Sequence, residues 1–292
     1  MANLEFPDRF DPIEISDPSL ELGHLRNLTF NSPALKGRGD VSLFVPPQCV
    51  SLTEVPLVVL LHGVHGSHWA WFMKGAAHLT AQRLIDQGAI RPMVIAAPSD
   101  GLCGNGSGYL PYPDANYESW VAEDVVGCIR RVFACVGPSG PTFIAGLSMG
   151  GYGALRLGMK YASSFHAISA HSSITQIHQF DQFVNHSMHE ELLGPEEPDL
   201  LHWARIHLDS VPTLRFDCGY DDSLFAANLQ LHHDLQSLGI EHEFTAFPGA
   251  HTWDYWRAHL KETLLFFEKS LQRSSQSRFV NPECARMRNN PH

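Results

Sequence analysis

What the chain has little of narrows it first. Its 292 residues hold six cysteines (Cys49, Cys103, Cys128, Cys135, Cys218 and Cys284), with no C-x-x-C pair among them. Scattered thiols do not make a disulfide framework, and they suit a reducing, cytoplasmic setting. No run reaches 18 uninterrupted apolar residues, so no membrane span is expected. The first eleven residues carry Glu5 and Asp8 and no apolar core, so no secretory signal is read there. Positive charge is also short: 20 Lys and Arg stand against 31 Asp and Glu, a net charge of −11. An acidic surface argues against nucleic acid and anionic membranes as partners. Internal repeats are not evident.

What is present suits one sizeable core. The composition is 44% hydrophobic, and α/β chains of this length are commonly one domain. Residues 1–24, acidic and with Pro7, Pro12 and Pro18, read as a lead-in or extended arm. Leu25–Phe30 and Val41–Val45 look like an antiparallel start. Val55–Leu61, Pro92–Ala97 and Phe143–Leu147 are short apolar runs that suit buried strands, and Phe165–Ala170, Thr213–Asp217 and Glu243–Phe247 read as further strands. Helical stretches are expected at Trp69–Ile85, Tyr117–Val136, after Ser148, at Ala226–Leu238 and at Thr252–Leu271. Residues 171–211 break this rhythm with polar, His-rich sequence and read as a small lid insertion, its His171, His178, His186 and His189 as polar lid surface. Residues 272–292, rich in arginine, are expected to be a disordered tail. The main domain, 25–271, is therefore an α/β fold: a mostly parallel central sheet with helices on both faces.

The chain is organised around Thr142-Phe-Ile-Ala-Gly-Leu-Ser-Met-Gly-Gly-Tyr-Gly-Ala154. An apolar strand meets Gly146-Leu-Ser-Met-Gly150, which is G-x-S-x-G, and passes into a helix-compatible run. That context holds a serine on a sharp turn and leaves the next backbone N–H at a helix N-terminus. A serine hydroxyl needs an adjacent base, itself oriented by a carboxylate, and in this fold the order is serine, acid, histidine. Eighteen histidines make residue type useless for choosing, but His251 stands in a Gly-containing turn after the last strand. Asp217, Asp221 and Asp222 all lie near one strand end and are the candidates for the acid. The oxyanion would need two N–H donors. Met149 supplies one, and Val64, in the turn after the early buried strand, is the choice for the other because Gly63 permits the turn. His62, His65 and His68 recur every third residue, but no further ligand set accompanies them, so no metal or other cofactor is expected. Trp69, Tyr109 and Trp253, with Trp71 and Tyr112 beside them in sequence, are candidates to line a substrate pocket; aromatic core packing is the alternative for each.

Taken together, Gly146–Ala154, Leu61-His-Gly63 with Gly66-Ser67 and Trp69, Cys218-Gly219 followed by Asp222, and Gly249-Ala-His251 resemble the Putative esterase family of α/β-hydrolases. Tributyrin and acetyl esterases, S-formylglutathione hydrolases, feruloyl esterases and mycolyltransferases belong to it. The resemblance implies the α/β-hydrolase fold, with Ser148 as nucleophile, His251 as base, Val64 and Met149 as oxyanion donors, and Asp222, three residues after the glycine, as acid. It implies a carboxylic ester hydrolase acting on short-chain acyl esters through an acyl-enzyme. An acyltransferase or S-formylglutathione hydrolase using the same triad is the alternative, and a non-catalytic binding protein a third reading. The loop Val64-His-Gly-Ser-His68 lacks the cysteine usual in formylglutathione hydrolases, which weakens the thioester reading. The expected partner is a small-molecule ester, and homo-oligomer formation stays open.

Overall fold

The structure, a computed structural model, describes residues 8–101, 105–184, 194 and 196–280. Nine strands form one sheet in the order β1-β2-β3-β5-β4-β6-β7-β8-β9. β1 (Ile13–Ile15), β2 (Leu25–Ser32) and β3 (Gly37–Phe44) are antiparallel, and β3 joins β5 (Val94–Pro98) antiparallel as well. From β5 onward the pairing is parallel through β4 (Leu57–Leu61), β6 (Thr142–Leu147), β7 (Ala167–His171), β8 (Thr213–Gly219) and β9 (His242–Phe247). This is the mostly parallel, helix-covered sheet of the α/β-hydrolase fold.

Alternation along the central strands sorts their side chains between two cores. Leu57, Val59 and Leu61 of β4 face one, and Val58 and Leu60 face the other. Each buried aliphatic contributes about 1.5–3 kcal/mol, so a strand buried throughout is specified by being apolar throughout. The first core is covered by α3 (Tyr117–Ser119), α4 (Val126–Val132), α5 (Met149–Lys160), α6 (Leu200–Ile206) and α7 (Phe225–Ser237). The second is covered by α1 (Ala70–Met73), α2 (Ala77–Asp86) and α8 (Trp253–Val280).

Several element boundaries differ from those the sequence suggested. Within the lead-in, Ile13–Ile15 pairs with β2 as the sheet's edge. The helix expected over Trp69–Ile85 is two helices, because Ala76 takes a left-handed φ of 51°. Gly75 beside it packs so tightly that a Cβ would lie 2.6 Å from the Trp71 carbonyl oxygen. Between α3 and α4 the helix widens into a π-helical stretch, Trp120–Val125. α8 does not stop at Leu271 but runs to Val280, since no glycine or proline interrupts it before Pro282. Residues 281–292 lie outside the described residues.

The insertion at 171–211 is partly core. His171 is the last residue of β7, and Phe180, Val184, Leu200 and Ala204 are buried in the first core. His171 is therefore not polar lid surface. Its imidazole is fully buried, 2.9 Å from Asp217, and Thr263 Oγ1 lies 2.8 Å from its other ring nitrogen. Satisfied on both nitrogens, the ring can be buried at little cost. His178 is exposed; His186 and His189 lie outside the described residues.

Candidate active site

β6 delivers Ser148 into a turn whose geometry only glycine neighbours allow. A Cβ on Gly146 would sit 2.1 Å from the Gly150 carbonyl oxygen, and one on Gly150 would sit 2.3 Å from that of Leu61. Between them Ser148 is held at φ 54°, ψ −118°. Such a backbone costs a non-glycine residue roughly 1–3 kcal/mol. Surrounding hydrogen bonds impose it: Ser148 N–H donates to the His171 carbonyl at 2.9 Å, and Ile174 N–H donates to that of Ser148 at 3.2 Å.

The other side chains arrive from the ends of β8 and β9. His251 Nε2 lies 3.0 Å from Ser148 Oγ, and its Nδ1 lies 2.9 Å from Asp222 Oδ2. The second Asp222 oxygen accepts the Leu224 N–H at 2.9 Å. Burial works against the Asp222 charge, but the hydrogen bonds from His251 and Leu224 outweigh it, and the carboxyl is held below its usual range. A carboxylate there makes Nδ1 the protonated nitrogen and leaves Nε2 free to accept the serine proton. The β8 and β9 loops touch at Gly219, where a Cβ would meet the Gly249 carbonyl oxygen at 2.1 Å. Asp221 donates its backbone N–H to that carbonyl at 2.9 Å, and its side chain is exposed. Asp217 belongs to the buried pair with His171, joined by Arg215 at 2.7 Å and Tyr255 at 2.8 Å. His251 is also gripped by rings: Phe183 stacks on it at 4.9 Å, and Trp256 meets it edge-on at 4.9 Å.

Gly63 sits against Ser148, where a Cβ would be 3.3 Å from Ser148 Cβ, so the turn after β4 passes beside the hydroxyl. His62 Nδ1 braces the turn at 2.8 Å from the Gly63 carbonyl, and His65 N–H donates to Asn105 at 2.8 Å. Among the described residues the Val64 and Met149 amides have no protein acceptor, and Met149 opens α5, where the first amides have no partner within the helix. The three histidines of this turn do not converge. His62 lies 3.6 Å from Asp100, while His68 Nδ1 is 2.8 Å from Ser42 Oγ.

A cavity of about 290 Å³ opens over Ser148 and His251. Trp69 and Trp253 line it, as do Val64, Phe183 and Trp256. Tyr109 does not: it is fully buried behind the turn after β4, its hydroxyl donating to the His62 carbonyl at 3.1 Å. Trp71 is likewise core, its Nε1 donating to the Leu61 carbonyl at 2.8 Å, and Tyr112 packs on Tyr117. Phe183, Trp256 and Lys74 on the cavity wall were not singled out by sequence. Trp256 could have been, three residues beyond Trp253 on the same helix face.

The family described as Putative esterase matches residues 32–267. An acetyl esterase of Caldicellulosiruptor saccharolyticus is 28% identical over 239 residues, covering 75% of this chain and 86% of that one. Among solved structures, a ferulic acid esterase superposes with a TM-score of 0.73 at 23% identity, covering 88% of this chain and 98% of its own. An S-formylglutathione hydrolase from Agrobacterium tumefaciens gives 0.70 at 19% identity, covering 90% and 100%. The two structures share the fold. With most of its length matched by the family, the chain belongs to the Putative esterase family and is a carboxylesterase-type α/β-hydrolase.

Proposed function

We propose that the enzyme hydrolyses short-chain acyl esters through an acyl-enzyme on Ser148. The observation that carries this is the unbroken relay Ser148–His251–Asp222, at 3.0 and 2.9 Å, under a cavity of about 290 Å³. As Ser148 Oγ attacks the ester carbonyl, its proton passes to His251 Nε2, and Asp222 stabilises the imidazolium that forms. The Val64 and Met149 amides receive the carbonyl oxygen as it becomes an oxyanion; one such donor is worth about 10²–10³ in kcat. Collapse of the tetrahedral intermediate expels the alcohol, which takes the proton from His251. Water then attacks the acyl carbon as its proton passes to the same nitrogen, and collapse of the second tetrahedral intermediate returns that proton to Ser148 Oγ and releases the carboxylic acid.

A cavity of this volume, at the low end of ligand sites, is enough for a short acyl group. The acetyl esterase relative supports the same substrate class. The free thiols at Cys49, Cys128, Cys135 and Cys218 support a reducing, cytoplasmic setting. Among the described residues no helix is long and apolar enough to cross a membrane.

The test is a panel of p-nitrophenyl esters from acetate to decanoate together with a fluorophosphonate probe. Wild type should favour the short members and take the label. Ser148→Ala should remain folded, take no label and lose on the order of 10⁶ in kcat. Activity within tenfold of wild type in a pure, folded Ser148→Ala preparation would reject the assignment.

A further inference from the structure

Five lysines occur in the chain, and four have a polar partner. Lys36 donates to the Pro113 carbonyl at 2.8 Å, and Lys160 pairs with Glu118 at 2.8 Å and Glu197 at 2.6 Å. Lys261 lies 3.7 Å from Glu262, and Lys269 lies 3.2 Å from Glu243. Lys74 differs. Its ammonium has no carboxylate or carbonyl partner among the described residues, and it stands on the wall of the cavity over Ser148.

Its surroundings favour an incoming anion. The ammonium rests over the Trp253 ring, 5.3 Å from the centroid, which steadies the cation without neutralising it. The Arg257 guanidinium donates twice to the Lys74 carbonyl, at 3.2 and 2.8 Å, fixing the short link that carries the side chain. No Asp or Glu belongs to the cavity wall among the described residues, and Asp222 is turned to the far nitrogen of His251. A separate groove between α2 and α8 is lined by Arg83, Arg257, Lys261 and Asp254, with Arg257 3.7 Å from Asp254 and Lys261 3.7 Å from Glu262. In a chain with net charge −11, the cavity over Ser148 thus presents one ammonium and no carboxylate among the described residues.

We infer that the ester this site takes carries a carboxylate on the arm lying toward α1 and α2, and that Lys74 selects it. One ammonium on a flexible, exposed stem, flanked on one side by the Trp253 ring, matches one singly charged group. This inference rests on Ser148 being the nucleophile of an ester hydrolase, since it concerns which ester reaches that hydroxyl.

Two matched substrate pairs test it, each differing by a carboxylate: ethyl pentanoate with monoethyl glutarate for the acyl arm, and p-tolyl acetate with para-acetoxybenzoate for the alcohol arm. The quantity is the anionic-to-neutral ratio of kcat/KM, compared between wild type and Lys74→Gln so that intrinsic reactivity cancels. In one pair that ratio should fall about three- to fivefold in Lys74→Gln at low salt, the yield of a partly exposed ion pair. Lys74→Arg should keep most of it, and added salt should lower it in wild type. The neutral ester of each pair is the internal reference for each protein, so any general effect of changing the cavity wall divides out of the ratio. Ratios unchanged by Lys74→Gln in both pairs, with neutral esters still hydrolysed, overturn the inference and leave the hydrolase reading intact. A wild-type protein that cleaves no ester and takes no fluorophosphonate label overturns both.

Discussion

At the scale of single residues, neighbouring side chains with the same chemistry are separated by where the backbone points them. Asp221 and Asp222 are adjacent, yet one faces solvent and the other is buried 2.9 Å from His251. Asp222→Asn should therefore cost roughly 10⁴ in kcat, by presenting the wrong tautomer of His251, while Asp221→Asn should stay close to wild type. Steady-state kinetics on the two variants decides it; the reverse ranking would move the acid by one residue. Ser148 and His251 can be read in the sequence because each sits in a turn whose glycines leave a local signature, whereas Asp222 is separated from Asp217 and Asp221 only by the family resemblance. Tyr109 and His171 cannot be read this way. Tyrosine and histidine carry an apolar body and a polar tip, so a loop-like sequence is compatible with either pocket or core. What decides for Tyr109 is an acceptor at His62, 47 positions away, and for His171 it is Asp217, 46 positions away.

At the scale of elements, the strands were legible and the ties between helices were not. β4, β5, β6 and β7 are buried on both faces, so each appears as an apolar run bounded by turn residues. The break between α1 and α2 is written in packing, not periodicity, since Gly75 yields there to Trp71 and Trp253. Least visible is a clamp inside the first core. Arg156 of α5, wholly buried, bonds Glu118 of α3, Glu197 ahead of α6 and the Tyr109 carbonyl, and Lys160 completes the set. Burial raises the Glu118 pKa, but Arg156 and Lys160 outweigh it and hold the carboxyl below its usual range. Removing the guanidinium leaves Lys160 as the one cation for the two carboxylates Glu118 and Glu197, one of them buried, so Arg156→Met should cost about 3–5 kcal/mol of stability. Lys160, less buried, should cost far less when replaced by Met. Urea unfolding of the two variants checks the ranking, and equal losses would mean that the clamp does not depend on Arg156.

At the scale of the whole molecule, these buried polar groups make folding sensitive to acid in two stages. Burial holds the imidazoles of His62, His68, His78 and His259 below the usual histidine range. In the unfolded chain the same rings take protons near 6.5, so below that pH the unfolded state binds more protons and stability falls. The second stage belongs to carboxylates. Burial opposes the Asp217 charge, but His171, Arg215 and Tyr255 outweigh it and bring its pKa to about 2, and Asp222, Glu118 and Glu268 are also lowered. Their stabilisation is complete above the unfolded carboxylate pKa, about 4, and is lost as pH falls toward 2. The urea midpoint should thus be level above about pH 7, decline below about 6.5 and drop again below about 4. Tyr255→Phe tests the lower stage separately. It removes one 2.8 Å hydrogen bond to Asp217 and should cost about 1.5–3 kcal/mol at neutral pH. With one donor fewer, the Asp217 carboxyl should also protonate at higher pH, so the lower drop should begin earlier in the variant. A Tyr255→Phe curve parallel to wild type down to pH 2 would show that Asp217 takes no part in that stage.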